Sequence, residues 1–255
     1  METYRLSYIT RILVVLLLIM FPVGVIIMLS GALNSKYLWT TNIFLGLQGL
    51  ITVLLLKNTA KHTSVIFITV TIFMLSFLIE LIGVKTGLPF GRYEYSRTLS
   101  PLLFGVPIAI TFAWFVLSIN SYLLARYFFR KSAKIYVLVS AALLVLGIDL
   151  LLEPFASNIN GYWIWENGRI PIYNYVSWFI LGFVFSFLID RYTRWNNDVI
   201  SGKQLVVIPV IILLINIIQF SIVNVYHSYL ALTLIGLLII GSVILTGIKL
   251  NPDEA

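Results

Sequence analysis

The chain has no cysteine and only two histidines, His62 and His227. Without thiols, disulfides and thiolate chemistry are excluded, and the redox compartment is not indicated. Histidines this far apart in sequence give a metal site little support, although carboxylates alone can bind magnesium. Charge is also scarce. Only 11% of the 255 residues are charged and 60% are hydrophobic, whereas soluble domains carry about 25% charged residues. The sequence is therefore that of an integral membrane protein. Acidic residues number 10, so any that falls inside an apolar run needs a reason to be there. No Gly-x-Ser-x-Gly, His-Glu-x-x-His, nucleotide or haem motif occurs, and no cofactor is implied. Gly83, Gly87 and Gly91 lack the strand, helix and lysine context of a phosphate loop and read as turn or close-approach residues.

What is there is a series of long apolar runs. Eight spans are expected, at about 12–31, 38–56, 65–84, 101–124, 135–152, 172–189, 205–223 and 229–248; seven is the alternative count. The runs are continuous rather than alternating, so they are helices and not barrel strands. The first is long and lacks a clear small-residue cleavage site, so it is expected to be retained. Connections are short. The expectation is an all-α, polytopic transmembrane bundle forming one domain over residues 1–255.

The net charge of +7 is explained by topology. With the N-terminus cytoplasmic, the inner segments hold Arg5, Arg11, Lys57, Lys61, Arg126, Arg130, Lys131, Lys134, Arg191, Arg194, Lys203 and Lys249. The outer side keeps only Lys36, Lys85, Arg92, Arg97 and Arg169. This bias is expected to place both termini on the cytoplasmic side of the cell membrane and argues against nucleic-acid binding. It also puts two unusual loops outside, 85–100 and 153–171, so chemistry is expected toward the extracytoplasmic face.

Candidate residues cluster around those loops. Glu80 lies one turn inside its span; its bland role is an ion pair with Lys85 or Arg92. Asp149 and Glu153 are four residues apart and so share a helical face. Two carboxylates close together in low dielectric do not both ionise easily, and the one that holds a proton can serve as a general acid. The bland role for Glu153 is a helix-end hydrogen bond. Glu94 and Glu166 read as solvated, and Asp190 and Asp198 as topological. Tyr93, Tyr95, Trp163, Trp165 and Trp178 fit an interfacial aromatic belt or ring faces that stabilise a carbocation. Asn174 and Asn120 position water or join helices, Asn120 more simply the latter.

An internal echo links the two regions. Tyr93 with Tyr95, and Trp163 with Trp165, each follow an acidic helix end. Each then precedes a Pro-Ile pair with a tryptophan seven residues after the proline, Pro107 to Trp114 and Pro171 to Trp178. A parallel repeat is the reading that follows, by analogy with membrane proteins built from repeats.

The string Glu80-Leu-Ile-Gly-Val-Lys-Thr-Gly-Leu-Pro-Phe-Gly-Arg-Tyr-Glu-Tyr95 resembles the signature of the integral-membrane carotenoid 1,2-hydratases, bacterioruberin-type and cyanobacterial, also described as carotenoid biosynthesis proteins. Further blocks match: Leu103-Phe-Gly-Val-Pro107 with Trp114; Asp149-Leu-Leu-Leu-Glu153-Pro154; and Tyr162-Trp-Ile-Trp165 with Ile170-Pro-Ile-Tyr-Asn174 and Trp178. The resemblance covers about 75–180; one departure is Glu153, where the family pattern has aspartate. It implies a cofactor-independent lyase that hydrates the terminal C=C of an acyclic carotenoid to a tertiary alcohol. Asp149 is then the first choice for the acid, Glu153 or Glu80 orients water or shares the proton, and Tyr93, Tyr95, Trp163, Trp165, Asn174, Trp178 and Trp114 line the substrate end. The implied partners are the acyclic carotenoid, water, membrane lipid and other carotenoid-pathway enzymes. The competing readings are a carotenoid end-group cyclase, a non-enzymatic lipid or small-molecule transporter using the carboxylates as a proton relay, and a pigment-binding scaffold subunit.

Overall fold

The computed structural model describes residues 7–30, 39–195 and 203–250, with only the backbone of 203–205. Arg5, Lys36 and Asp198 lie outside the described residues. The helices are α1 Tyr8–Leu29, α2 Trp39–Thr59, α3 His62–Thr86, α4 Ile108–Phe128, α5 Lys134–Glu153, α6 Ile172–Tyr192, α7 Lys203–Tyr226 and α8 Leu230–Leu250. All eight are long and apolar enough to cross a membrane. At about 1.5 Å per residue, some 20 residues match a hydrocarbon core of about 30 Å. The protein is a multi-pass helical bundle.

α4 is the central helix and is buried almost throughout. It packs against α2, α3, α5, α6, α7 and α8, and α5 packs most closely against α6 and α8. Lipid tails are as apolar as leucine, so such contacts rely on close backbone approach rather than on a hydrophobic drive. Gly147 and Gly236 supply it between α5 and α8: a Cβ on Gly236 would stand 2.6 Å from the Gly147 carbonyl oxygen. Asn120 Nδ2 donates to Thr52 Oγ1 at 3.0 Å, joining α4 to α2, as its bland reading expects.

Two boundaries differ from the sequence reading. The fourth span starts at Ile108, not at 101. Leu102–Leu103 (β2) pairs with Val106–Pro107 (β3) in a hairpin turned at Phe104 and Gly105, whose φ values are 51° and 89°. Apolar composition alone cannot separate a short strand from helix; Pro101, Pro107 and the Gly105 turn decide it here. The second outer loop also starts later than 153. Helical winding continues past α5 as a wide π-type turn over Pro154–Ile159, which the Asn160 N–H closes on the Phe155 carbonyl at 3.1 Å. Pro154 is tolerated because its φ of −60° is helical, and such wide turns recur at functional sites.

The two outer loops are joined to each other. Tyr93–Tyr95 (β1) and Trp163–Trp165 (β4) form an antiparallel pair, with Tyr93 opposite Trp165, Glu94 opposite Ile164 and Tyr95 opposite Trp163. Further bonds tie this cap to the helices. Thr41 Oγ1 and the Tyr162 hydroxyl lie 3.0 Å apart, Asn42 Nδ2 donates to the Ser100 carbonyl at 2.6 Å, and Ser177 Oγ donates to the Pro89 carbonyl at 2.9 Å. The opposite end of the bundle is basic. There the Lys61 N–H donates to the Arg194 carbonyl at 2.9 Å. Asp190 accepts from the Tyr122 hydroxyl at 2.7 Å and pairs with Arg126 and Lys134. That arrangement matches the topological role read for Asp190.

Candidate active site

The C-terminal part of α3, nearly two turns before its end, buries Glu80 beneath β1. Its Oε2 accepts from the hydroxyls of Tyr93 and Tyr95, at 2.6 and 2.7 Å, and its Oε1 accepts from Trp114 Nε1 at 2.9 Å. The expected ion pair with Lys85 or Arg92 is not formed. Arg92 instead meets Glu166 at 3.8 Å on the exposed surface. The strand geometry explains this, because alternate residues point to one face, and Tyr93 and Tyr95 take that face while Arg92 points away. Gly83 makes the approach possible: a Cβ there would sit 2.7 Å from the Tyr93 hydroxyl oxygen.

Burial, and then the neighbouring Glu80 carboxylate, push the Tyr93 and Tyr95 phenols well above their ordinary value of 10.0. Both therefore stay protonated and remain donors at neutral pH. Burial likewise pushes Tyr162 up to about 12.

The last turn of α5 presents the second wall. Glu153 Oε2 accepts from Trp163 Nε1 at 3.3 Å and from Trp165 Nε1 at 3.1 Å, and its Oε1 accepts from Asn174 Nδ2 at 2.8 Å. The same Nδ2 lies 3.2 Å from Asp149 Oδ2, so one amide bridges the two carboxyls. Asp149 is fully buried, and its Oδ1 has no partner. Trp178 stacks on Trp114 at 3.9 Å with an interplanar angle of 18°, so the two proline-spaced tryptophans meet face to face.

Between the walls lies a small cavity of about 20 Å³, lined by Glu80, Glu153, Asn174, Phe90, Tyr93, Tyr95, Ile110, Trp163, Trp165 and Trp178. A single water needs about 10–15 Å³, so the space suits one. Asp149 does not line it; it sits behind Asn174. Trp114 also stands back, holding Glu80 and backing Trp178. A larger apolar groove of about 210 Å³ adjoins this cavity, and Ile110 and Trp163 line both.

The sequence reading did not single out Phe90, Ile110 or the groove walls on α1, α2 and α7. Phe90 stood in the signature string without a role. Ile110 and the groove residues are ordinary members of apolar runs, and no local signal separates them from neighbours that face lipid.

The sequence model of the family described as "Carotenoid biosynthesis protein" matches residues 40–243, most of the chain. The chain belongs to this carotenoid biosynthesis protein family. The matched stretch contains both walls, the cap and helices α2 to α8, the last of them as far as residue 243. Among curated proteins, the bisanhydrobacterioruberin hydratase of Haloarcula japonica is 36% identical over 127 residues, which cover 48% of this chain and 43% of that protein. The chain thus aligns with less than half of that relative's length. No solved structure matches.

Proposed function

We propose that this chain is a carotenoid hydratase that adds water across the terminal C=C of an acyclic carotenoid to give a tertiary alcohol. The observation that carries this reading is the one-water cavity between two carboxyl walls, next to an apolar groove that shares Ile110 and Trp163 with it. Membership in a carotenoid biosynthesis family and the similarity to a named hydratase support it.

The roles follow from each carboxyl's neighbours. Glu80 and Glu153 each receive three donors, but only Glu153 has a second carboxyl, Asp149, bridged to it through Asn174, so Glu80 acts as the anion. Asp149, with one bridging amide and a bare Oδ1, holds the proton. Because Asp149 does not reach the cavity, Glu153 delivers that proton, and Asp149 resupplies it across the pair that Asn174 spans. The alkene π pair forms the new C–H bond at the less substituted carbon, leaving a tertiary cation at the other. The faces of Tyr93, Trp163 and Trp165 and the Glu80 carboxylate stabilise that cation. Water in the cavity adds through oxygen, and its surplus proton passes to Glu80. Return of that proton to Glu153 and Asp149 closes the cycle, so the net change is one water added.

The test is to supply defined acyclic carotenoids to the purified protein in mixed micelles, without any gradient, and to identify products by chromatography and mass. A product heavier by one water is expected. A product of unchanged mass with a ring at its end means cyclisation, and unchanged substrate means carriage or binding; either result removes the hydratase reading.

The positive-inside rule also leads us to place the site toward the extracytoplasmic face, with both termini in the cytoplasm. Since the chain is free of cysteine, Glu94→Cys at the exposed middle residue of β1 gives one thiol for an impermeant maleimide. Labelling of intact cells is expected; labelling only after lysis reverses the orientation.

A further inference from the structure

The larger groove has a polar floor as well as apolar walls. α1 contributes Val23, Gly24 and Met28 to one side, and α4 contributes Ala113 and Val116 to another. The floor is Gln48 of α2 with Asn216 of α7. Gln48 is fully buried; its Oε1 accepts from Asn216 Nδ2 at 2.7 Å, and its Nε2 has no partner. A buried donor left unpaired is destabilising unless a ligand supplies an acceptor. The π face of a conjugated chain accepts weakly from N–H, whereas a saturated acyl tail offers nothing. Groove and cavity share Ile110 and Trp163 as lining residues. Thr41, bonded to Tyr162, marks the site end. Gln48 lies seven residues further along α2, about 10 Å at helical rise.

From this we infer that the groove between α1, α2, α4 and α7 binds the conjugated chain of the substrate along α2. The reacting end lies at Ile110 and Trp163, and the Gln48 amide lies against the chain's π face. The identity of the reacting end rests on the hydratase reading; the binding of a conjugated hydrocarbon does not.

Gly24 gives the means of testing this, because a Cβ placed there meets nothing within 4 Å. Gly24→Phe therefore fills the groove rather than the helix packing. Wild type and variant are purified in detergent from cells making an acyclic carotenoid, and their retained pigment is read by absorbance. Each is then assayed on a long acyclic carotenoid and on a short acyclic isoprenoid hydrocarbon with the same end group. The expected result is loss of retained pigment and a fall of about tenfold in the long-to-short turnover ratio, the size of effect that about 1.4 kcal/mol of lost binding gives. Val23→Trp, on the same half-exposed wall, provides a second block if Gly24→Phe does not insert. Wild-type retention and an unchanged ratio in a correctly inserted variant overturn the groove and leave hydration standing. If wild type hydrates neither substrate, the hydratase reading fails by itself and pigment retention still decides the groove. Retention by wild type that the variants lose supports it, and equal retention overturns it.

Discussion

The two halves of the site, α3–β1–α4 and α5–β4–α6, share a plan and differ in a few telling positions. Each buries a glutamate toward the C-terminal end of its first helix. Each sends an aromatic-x-aromatic strand back over that glutamate, and each places a tryptophan seven residues after the proline that opens its second helix. The strands pair about Glu94 and Ile164, and Trp114 stacks on Trp178, as a local twofold arrangement requires. These correspondences support the repeat read from the sequence. Beyond the tyrosines of one strand and the tryptophans of the other, differences lie one turn before the glutamate and three residues after the proline. The first half has Ser76 and Ile110 there, and the second has Asp149 and Asn174. One half thus holds a lone carboxyl beside an apolar residue. The other holds a second carboxyl tied to the first by an amide. A symmetric scaffold with asymmetric chemistry is what a reaction needs when a proton is given from one side and taken on the other.

The comparison breaks most severely at Glu153. Glu153→Gln is expected to lower hydration by about 10²–10⁴, the usual contribution of a positioned acid or base, measured as hydroxylated carotenoid per inserted protein; near-normal yield would falsify its role. Asp149→Ser makes the second half resemble the first. With Glu153 still present, a loss of about 10²-fold is expected, at the low end of that range. Wild-type yield from this variant means that the proton enters elsewhere.

On the Glu80 side, Tyr93→Phe and Tyr95→Phe each remove one donor to a charged group, worth about 1.5–3 kcal/mol. A loss of roughly 10- to 100-fold in turnover is expected for each. The double variant should fall short of the product of the singles, because both donors share one oxygen, and strict additivity denies that sharing.

The smallest effect is spectroscopic. Burial raises both phenols above 10.0. Their bonds to Glu80 therefore contribute fully below that pH and are lost as pH rises through the folded values. In an alkaline titration followed by tyrosinate absorbance, the wild type and the Tyr93→Phe, Tyr95→Phe double variant are expected to coincide to about pH 10, the ordinary tyrosine value. An extra ionisation below that point in the wild type removes the claim that these tyrosines are buried donors.

The eight spans were legible because lipid allows few backbone solutions, and long apolar runs reveal the helical one. Glu80, Asp149 and Glu153 were legible because a carboxylate inside such a run is costly. The hairpin at 102–107 was not, since Leu102-Leu-Phe-Gly-Val reads as apolar whether wound or extended. Nor was the demotion of Asp149. Its spacing from Glu153 gave a shared face, but Asn174, arriving from α6, decides which carboxyl meets the cavity.

The sequence by itself determined a polytopic helical bundle, an acidic-aromatic end and the residue types available for acid chemistry. Apolar length and intramembrane charge are local properties with large free-energy costs, and they leave their mark in any window of the chain. Only the tertiary structure decided that β1 and β4 zip the two loops together, that Glu80 spends its lone pairs on tyrosines rather than on arginine, and that Ile110 and Trp163 line both a one-water cavity and a groove with walls from α1, α2 and α7. Those features arise from contacts between residues distant along the chain, where helix rotation and close approach at Gly83 and Gly147 fix what faces what.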